Sequence, residues 1–288
     1  MQPQELDREV RKELMTLSKE TADLVARHLV MAGRLMDDEP HAALPHARAA
    51  RALAGRVGAV REASGLVAYA AGEWAEALSE LRAARRISGE PDHLPVMADC
   101  ERALGRPERA LIVAEDPQVS RLNPAARVEL LIVVSGARRD LGQADAAVLT
   151  LQVAALDAPP VRPWTARLRY AYADALLGAG REDEARDWFA RTVEVDETGE
   201  TDGEERLLAL DGIILEDLLD EDDEDDGVTV GVTSTPQREP SVVVQDGEPD
   251  GVDGPAEDPL DIAASLPQVR FQQALDRAAG DDPGQVSD

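Results

Sequence analysis

The sequence predicts an all-α fold: an α-solenoid of about five helical hairpins with a capping helix, followed by a disordered acidic tail. Three observations predict it. Apolar residues recur at helical spacing, as in Leu24, Leu29, Met31, Leu35 and again in Leu44, Ala47, Ala50, Leu53. Glycines at 72, 105, 142 and 180 separate helix-like stretches at intervals of 33, 37 and 38 residues. Charge is divided unevenly. Residues 1–191 carry 26 Arg or Lys against 29 Asp or Glu, a net of −3, whereas residues 192–288 carry 4 against 29, a net of −25. The body can bury a core, and the tail is too charged to do so.

Along the chain, helices are expected near 4–16, 19–36, 39–54, 57–71, 74–87, 92–104, 107–114, 124–141, 143–155, 163–179, 182–195 and 202–219. The segments that follow the four glycines align: GEWAEALSELRAA, GRPERALIVAEDP, GQADAAVLTLQVA and GREDEARDWFART. Each places alanine five residues after the glycine, at Ala77, Ala110, Ala147 and Ala185. Nine residues on stand Leu81, Leu151 and Phe189, with Ala114 in the second segment. An earlier unit fits with Asp38 in the glycine slot, then Ala43, Ala47 and Ala50.

The physical reading is a repeated hairpin. Glycine closes the first helix in a left-handed conformation. The small alanine lets the two helices approach, and the larger residue packs into the next hairpin. No single hairpin can hide its apolar stripe, so the hairpins stack. The 202–219 helix, with Leu207, Leu210, Ile214 and Leu218 on one stripe, reads as the cap. Domain boundaries follow: a helical repeat domain over 1–219 and a disordered acidic tail over 220–288. The tail's 258–280 stretch (Leu260, Ile262, Leu266, Val269, Phe271, Leu275) is the one part fit for short amphipathic turns.

The period near 34, the Gly–x4–Ala–x3–Leu/Phe–x2–Ala pattern and the earlier Gly65 resemble tetratricopeptide repeats. The match is fullest over 58–91, where Gly65, Gly72, Ala77, Leu81 and Ala84 fall in place. Ala98, Ser135 and Ala173 occupy the Gly65 slot in later units. Blocks such as ETADLVARHLVMAGRLMDDEP and YAYADALLGAGREDEA resemble an actinobacterial family of cytoplasmic tetratricopeptide-repeat proteins, over roughly residues 5–220. The resemblance implies a concave groove lined by the first helix of each hairpin. Carried over by the Gly65 frame, its groove positions are His28 and Leu35; Glu62, Leu66 and Tyr69; Asp99 and Arg102; Ile132 and Arg139; Arg167, Tyr170 and Asp174. The partner-binding candidates among these are Glu62, Tyr69, Asp99, Arg102, Arg139, Arg167, Tyr170 and Asp174. A clamp for a C-terminal carboxylate is disfavoured, because its Lys, Asn and Arg slots hold His28, Glu62, Leu66, Asp99 and Ile132 here.

Other classes are excluded on composition. No run of about 18 apolar residues is present, so no membrane partner is expected. The opening MQPQELDREVRKEL lacks the apolar stretch of a secretory signal, and a cytoplasmic location is expected. Strong acidity argues against nucleic acid as a ligand. The single cysteine, Cys100, excludes a disulfide framework and reads as a small buried apolar residue. No P-loop, dinucleotide fingerprint, HExxH or GxSxG motif occurs, and GAGRED (178–183) is a helix-to-helix turn. Hence no enzyme activity, catalytic residues or cofactor are expected. No metal site is expected either, since His41 and His46 stand five residues apart and share a helix face poorly. The expected function is a non-enzymatic scaffold or adaptor that binds an unidentified protein or peptide segment in its groove. The alternative is a self-regulated scaffold whose acidic tail competes for the groove or captures a basic partner.

Overall fold

The computed structural model describes residues 3–212, and among them all regular structure is helical. Twelve α-helices follow in order: α1 (Arg8–Leu14), α2 (Lys19–Leu35), α3 (Pro40–Ala54), α4 (Gly58–Ala70), α5 (Trp74–Ser88), α6 (Leu94–Ala103), α7 (Pro107–Ala114), α8 (Pro124–Asp140), α9 (Ala144–Leu151), α10 (Thr165–Gly178), α11 (Glu182–Val193) and α12 (Gly203–Leu210). None of the described helices is long and apolar enough to cross a membrane.

Helices pair in chain order as α2/α3, α4/α5, α6/α7, α8/α9 and α10/α11, and α12 packs on α11. The first helices of successive pairs also touch, as α2 does α4, α6 does α8 and α8 does α10. The core is divided in the same order. Leu14, Val25, Leu29 and Val60 form its first part, and Leu44, Tyr69, Leu81 and Cys100 the second. Ala98, Ala110 and Val133 form the third, and Leu151, Leu168, Leu176 and Phe189 the last.

The repeat signature has a backbone cause. Gly72, Gly105, Gly142 and Gly180 all have φ between 69° and 72°, where a side chain is strained. That conformation lets Gly72 N–H donate to the Tyr69 carbonyl (3.0 Å) while Glu73 N–H reaches back to Ala68 (2.8 Å). The same two bonds recur at Gly105, Gly142 and Gly180, which satisfies the last carbonyls of α6, α8 and α10. Ala77, Ala110, Ala147 and Ala185 have 0% of their surface exposed. The Gly65 slot is a second close approach. A Cβ on Gly65 would lie 2.7 Å from the Leu81 side chain, Ala98 and Ala173 are fully buried, and the Ser135 hydroxyl donates to the Ala147 carbonyl (3.1 Å).

Two expected elements differ. The 4–16 helix is a short 3-10 turn, Pro3–Glu5, followed by α1, because the Asp7 side chain caps a new helix at the Glu9 amide. The 143–155 helix stops at Leu151. Val153 is extended, and a separate 3-10 turn over Ala154–Leu156 follows. The expected cap is helical over Gly203–Leu210. Its remainder, the tail from 220 and the 258–280 stretch lie outside the described residues.

Candidate partner-binding wall

The first helices α4, α6, α8 and α10, with α12 after them, present their charged side chains to one another. One rule governs the contacts, counted from the Gly65 slot. The residue four past the slot reaches the residue one past it in the next hairpin. Tyr69 on α4 donates its hydroxyl to Asp99 Oδ2 on α6 at 2.6 Å. Arg102 on α6 lies over Gly136 on α8, where a Cβ would come within 2.8 Å of its Cζ, and continues to Asp140 at 2.7 Å. Arg139 on α8 pairs with Asp174 on α10. Asp174 then accepts from Arg206 on α12 at 3.0 Å.

A second contact lies at least two turns earlier along the helices. Glu129 on α8 and Arg167 on α10 both stand six residues before the slot and meet at 2.8 Å, their side chains only 7% and 12% exposed. Arg167 on α10 acts electrostatically on Tyr69 of α4, and Asp99 of α6 acts on Glu129 of α8. Tyr69 and Asp99 meet between α4 and α6, and Glu129 and Arg167 between α8 and α10.

Burial dominates the electrostatics of this cluster. It pushes the Tyr69 hydroxyl up, with Asp99 adding to the effect. Burial also raises Asp99 despite the Tyr69 hydrogen bond and Arg102, which stands 3.6 Å away. Glu129 is pushed up to about 7. Burial is the main cause, Glu200 and Asp99 add like charge, and Arg167 offsets only part. One helical turn on, Tyr170 stacks edge-on against Phe189 with ring centroids 5.5 Å apart. Its hydroxyl makes no hydrogen bond of good geometry, although burial and the nearby Asp202 push it up.

The sequence-predicted candidates thus stand on one wall, but not as exposed anchors. Tyr69, Asp99, Tyr170 and Asp174 are buried, and Arg102 and Arg167 nearly so. The reason is the pairing between helices: Tyr69 and Asp99 are buried against each other, Asp174 lies between Arg139 and Arg206, and Tyr170 packs on Phe189 of its own hairpin. Arg139 and Glu62 are half-buried, and Glu62 accepts from His93 Nε2 at 2.9 Å. Of the apolar groove positions, Leu66 and Ile132 are core and Leu35 is half-buried. Glu129, Asp140, Glu200, Asp202 and Arg206 were missed from sequence. Glu129 shares a slot with Arg167 and was findable by that register.

At the rim, Asp140, Glu200 and Asp202 are exposed and Arg206 is half-buried. Counted together, the wall carries the carboxyl groups of Glu62, Asp99, Glu129, Asp140, Asp174, Glu200 and Asp202. Against these seven stand the four guanidiniums of Arg102, Arg139, Arg167 and Arg206, each already spent on a wall carboxylate. Cys100 behind the wall is fully buried with its thiol pushed up, which leaves it inert. Among the described residues no group of three or more His, Cys, Asp or Glu is arranged to hold a metal ion. No protein-family model matches the chain, and no curated protein matches it.

Proposed function

We propose that the chain is a non-enzymatic interaction scaffold of the cytoplasm, a tetratricopeptide-like α-solenoid whose inner wall takes a cationic segment of a protein partner. The carboxylate surplus of that wall, with its guanidiniums already engaged, carries the reading. An incoming Lys or Arg side chain meets the exposed carboxylates of Asp140, Glu200 and Asp202, whereas an acidic segment would be repelled by them.

The same sign argument ranks the two roles open to the tail. Residues 220–288 carry 3 Arg against 19 Asp or Glu, a net of −16, so they are repelled by the wall and attract the partner that the wall attracts. Capture of a basic partner is favoured over competition for the groove. Long-range attraction by the tail raises the encounter rate, and short-range pairing on the wall sets the residence time.

The test is fluorescence anisotropy of the full chain with a labelled peptide of alternating Arg and Leu and with its Glu counterpart, at low and high salt. Glu200→Arg with Asp202→Arg should mainly speed dissociation. Neutralising the six acids of 221–226 should mainly slow association, and that effect should fade as salt rises. Equal binding of the Glu peptide, or a wall variant with unchanged kinetics, refutes the reading.

A further inference from the structure

Away from the wall, the first hairpin brings two histidines together. His28 on α2 and His46 on α3 place their Nδ1 atoms 3.1 Å apart, with ring centroids separated by 5.3 Å and planes tilted by 43°. His46 thus meets His28 across the hairpin and not His41, the neighbour that stands five residues before it on its own helix. Both rings are part-buried. The helices that carry them are fixed by buried neighbours, Val25 and Leu29 on α2 and Ala43, Ala47 and Ala50 on α3. The separation is therefore held by packing.

We propose that His28 and His46 form a two-imidazole clasp for a first-row divalent transition-metal ion, binding through both Nδ1 atoms and tying α2 to α3. The bite carries the argument. Two nitrogens each about 2.0–2.1 Å from one metal ion stand about 2.9–3.4 Å apart for angles between square and tetrahedral, and the observed separation falls inside that window. Imidazole suits Cu2+, Ni2+ and Zn2+ and not Mg2+ or Ca2+. Among the described residues no group of three or more ligand side chains forms here, so water or an outside ligand completes the coordination. The result is an exchangeable site and not a structural one.

Calorimetry on the full chain with Cu2+, Zn2+ and, as a control for the acidic tail, Mg2+ tests the clasp. The expected result is one saturable ion per chain for Cu2+ and Zn2+, with Cu2+ the tighter. His28→Ala and His46→Ala should each weaken binding at least about tenfold, whereas His41→Ala should leave it unchanged. A second readout needs no variant: the imidazole nitrogen resonances of the wild-type chain. Zn2+ should move Nδ1 of His28 and of His46 together. An unchanged isotherm in the two alanine variants overturns the proposal. So does a pair of Nδ1 signals that Zn2+ leaves in place, which would make the contact an ordinary N–H···N hydrogen bond.

Discussion

Replacing Glu129 with glutamine should change how stability depends on pH, in a direction opposite to that of most ion-paired carboxylates. Glu129 touches Arg167 at 2.8 Å, yet burial outweighs the pair and pushes its pKa from the ordinary 4.5 to about 7. The folded protein therefore keeps a proton that the unfolded chain releases. Stability from this group is fully present below pH 4.5 and is lost as pH rises through about 7. At roughly 1.4 kcal/mol per pH unit, the loss is on the order of 3 kcal/mol. Glutamine occupies the same space and cannot ionise. The assay is urea unfolding of the full chain and of Glu129→Gln at intervals from pH 4.5 to 8.5. The wild-type stability minus the variant stability should fall across that range. Subtracting the variant removes the other titrating groups, which include those whose lowered pKa makes them act with the opposite sign, such as Asp116 and Glu76. A difference that stays flat, or that grows with pH, would mean that the Arg167 pair outweighs burial.

The repeat frame and the wall make further predictions. Ala147→Leu should overpack the α8–α9 crossing and cost roughly 1–3 kcal/mol, read as a lower melting temperature; an unchanged melt would show the frame to be misplaced. Gly65→Ala should cost more than Gly136→Ala. The added methyl at 65 meets the Leu81 side chain at 2.7 Å and its backbone nitrogen at 3.2 Å, whereas at 136 it meets the end of Arg102, which can swing away; equal melting temperatures would contradict this. Tyr69→Phe should cost roughly 1–3 kcal/mol, because it strands the buried Asp99 carboxyl without its hydroxyl donor, and a wild-type unfolding midpoint would show that water replaces it.

What was legible in the sequence is what the backbone itself demands. The turn after each first helix needs a positive φ, so glycine recurs at 72, 105, 142 and 180. The helix crossings leave no room, so alanine recurs at 77, 110, 147 and 185. The wall was legible only as a set of positions. Tyr69 and Asp99, or Arg139 and Asp174, are 30 and 35 residues apart in the chain, and their pairing depends on how far one hairpin rotates against the next. Nothing in a single repeat records that rotation. The same pairing turned expected surface anchors into buried struts. His28 and His46 sit 18 residues apart on the two arms of one hairpin, and their meeting is set by the α2–α3 crossing.

Amide hydrogen exchange of the full chain, alone and with the Arg–Leu peptide, tests the inner wall as the binding surface most directly. Added protection should concentrate in α6, α8, α10 and α12, at the turns that carry Arg102, Asp140, Asp174 and Arg206, and should leave the second helices α5, α7 and α9 unchanged. Protection confined to those second helices, or to residues beyond 212 with none on the wall, would contradict the account.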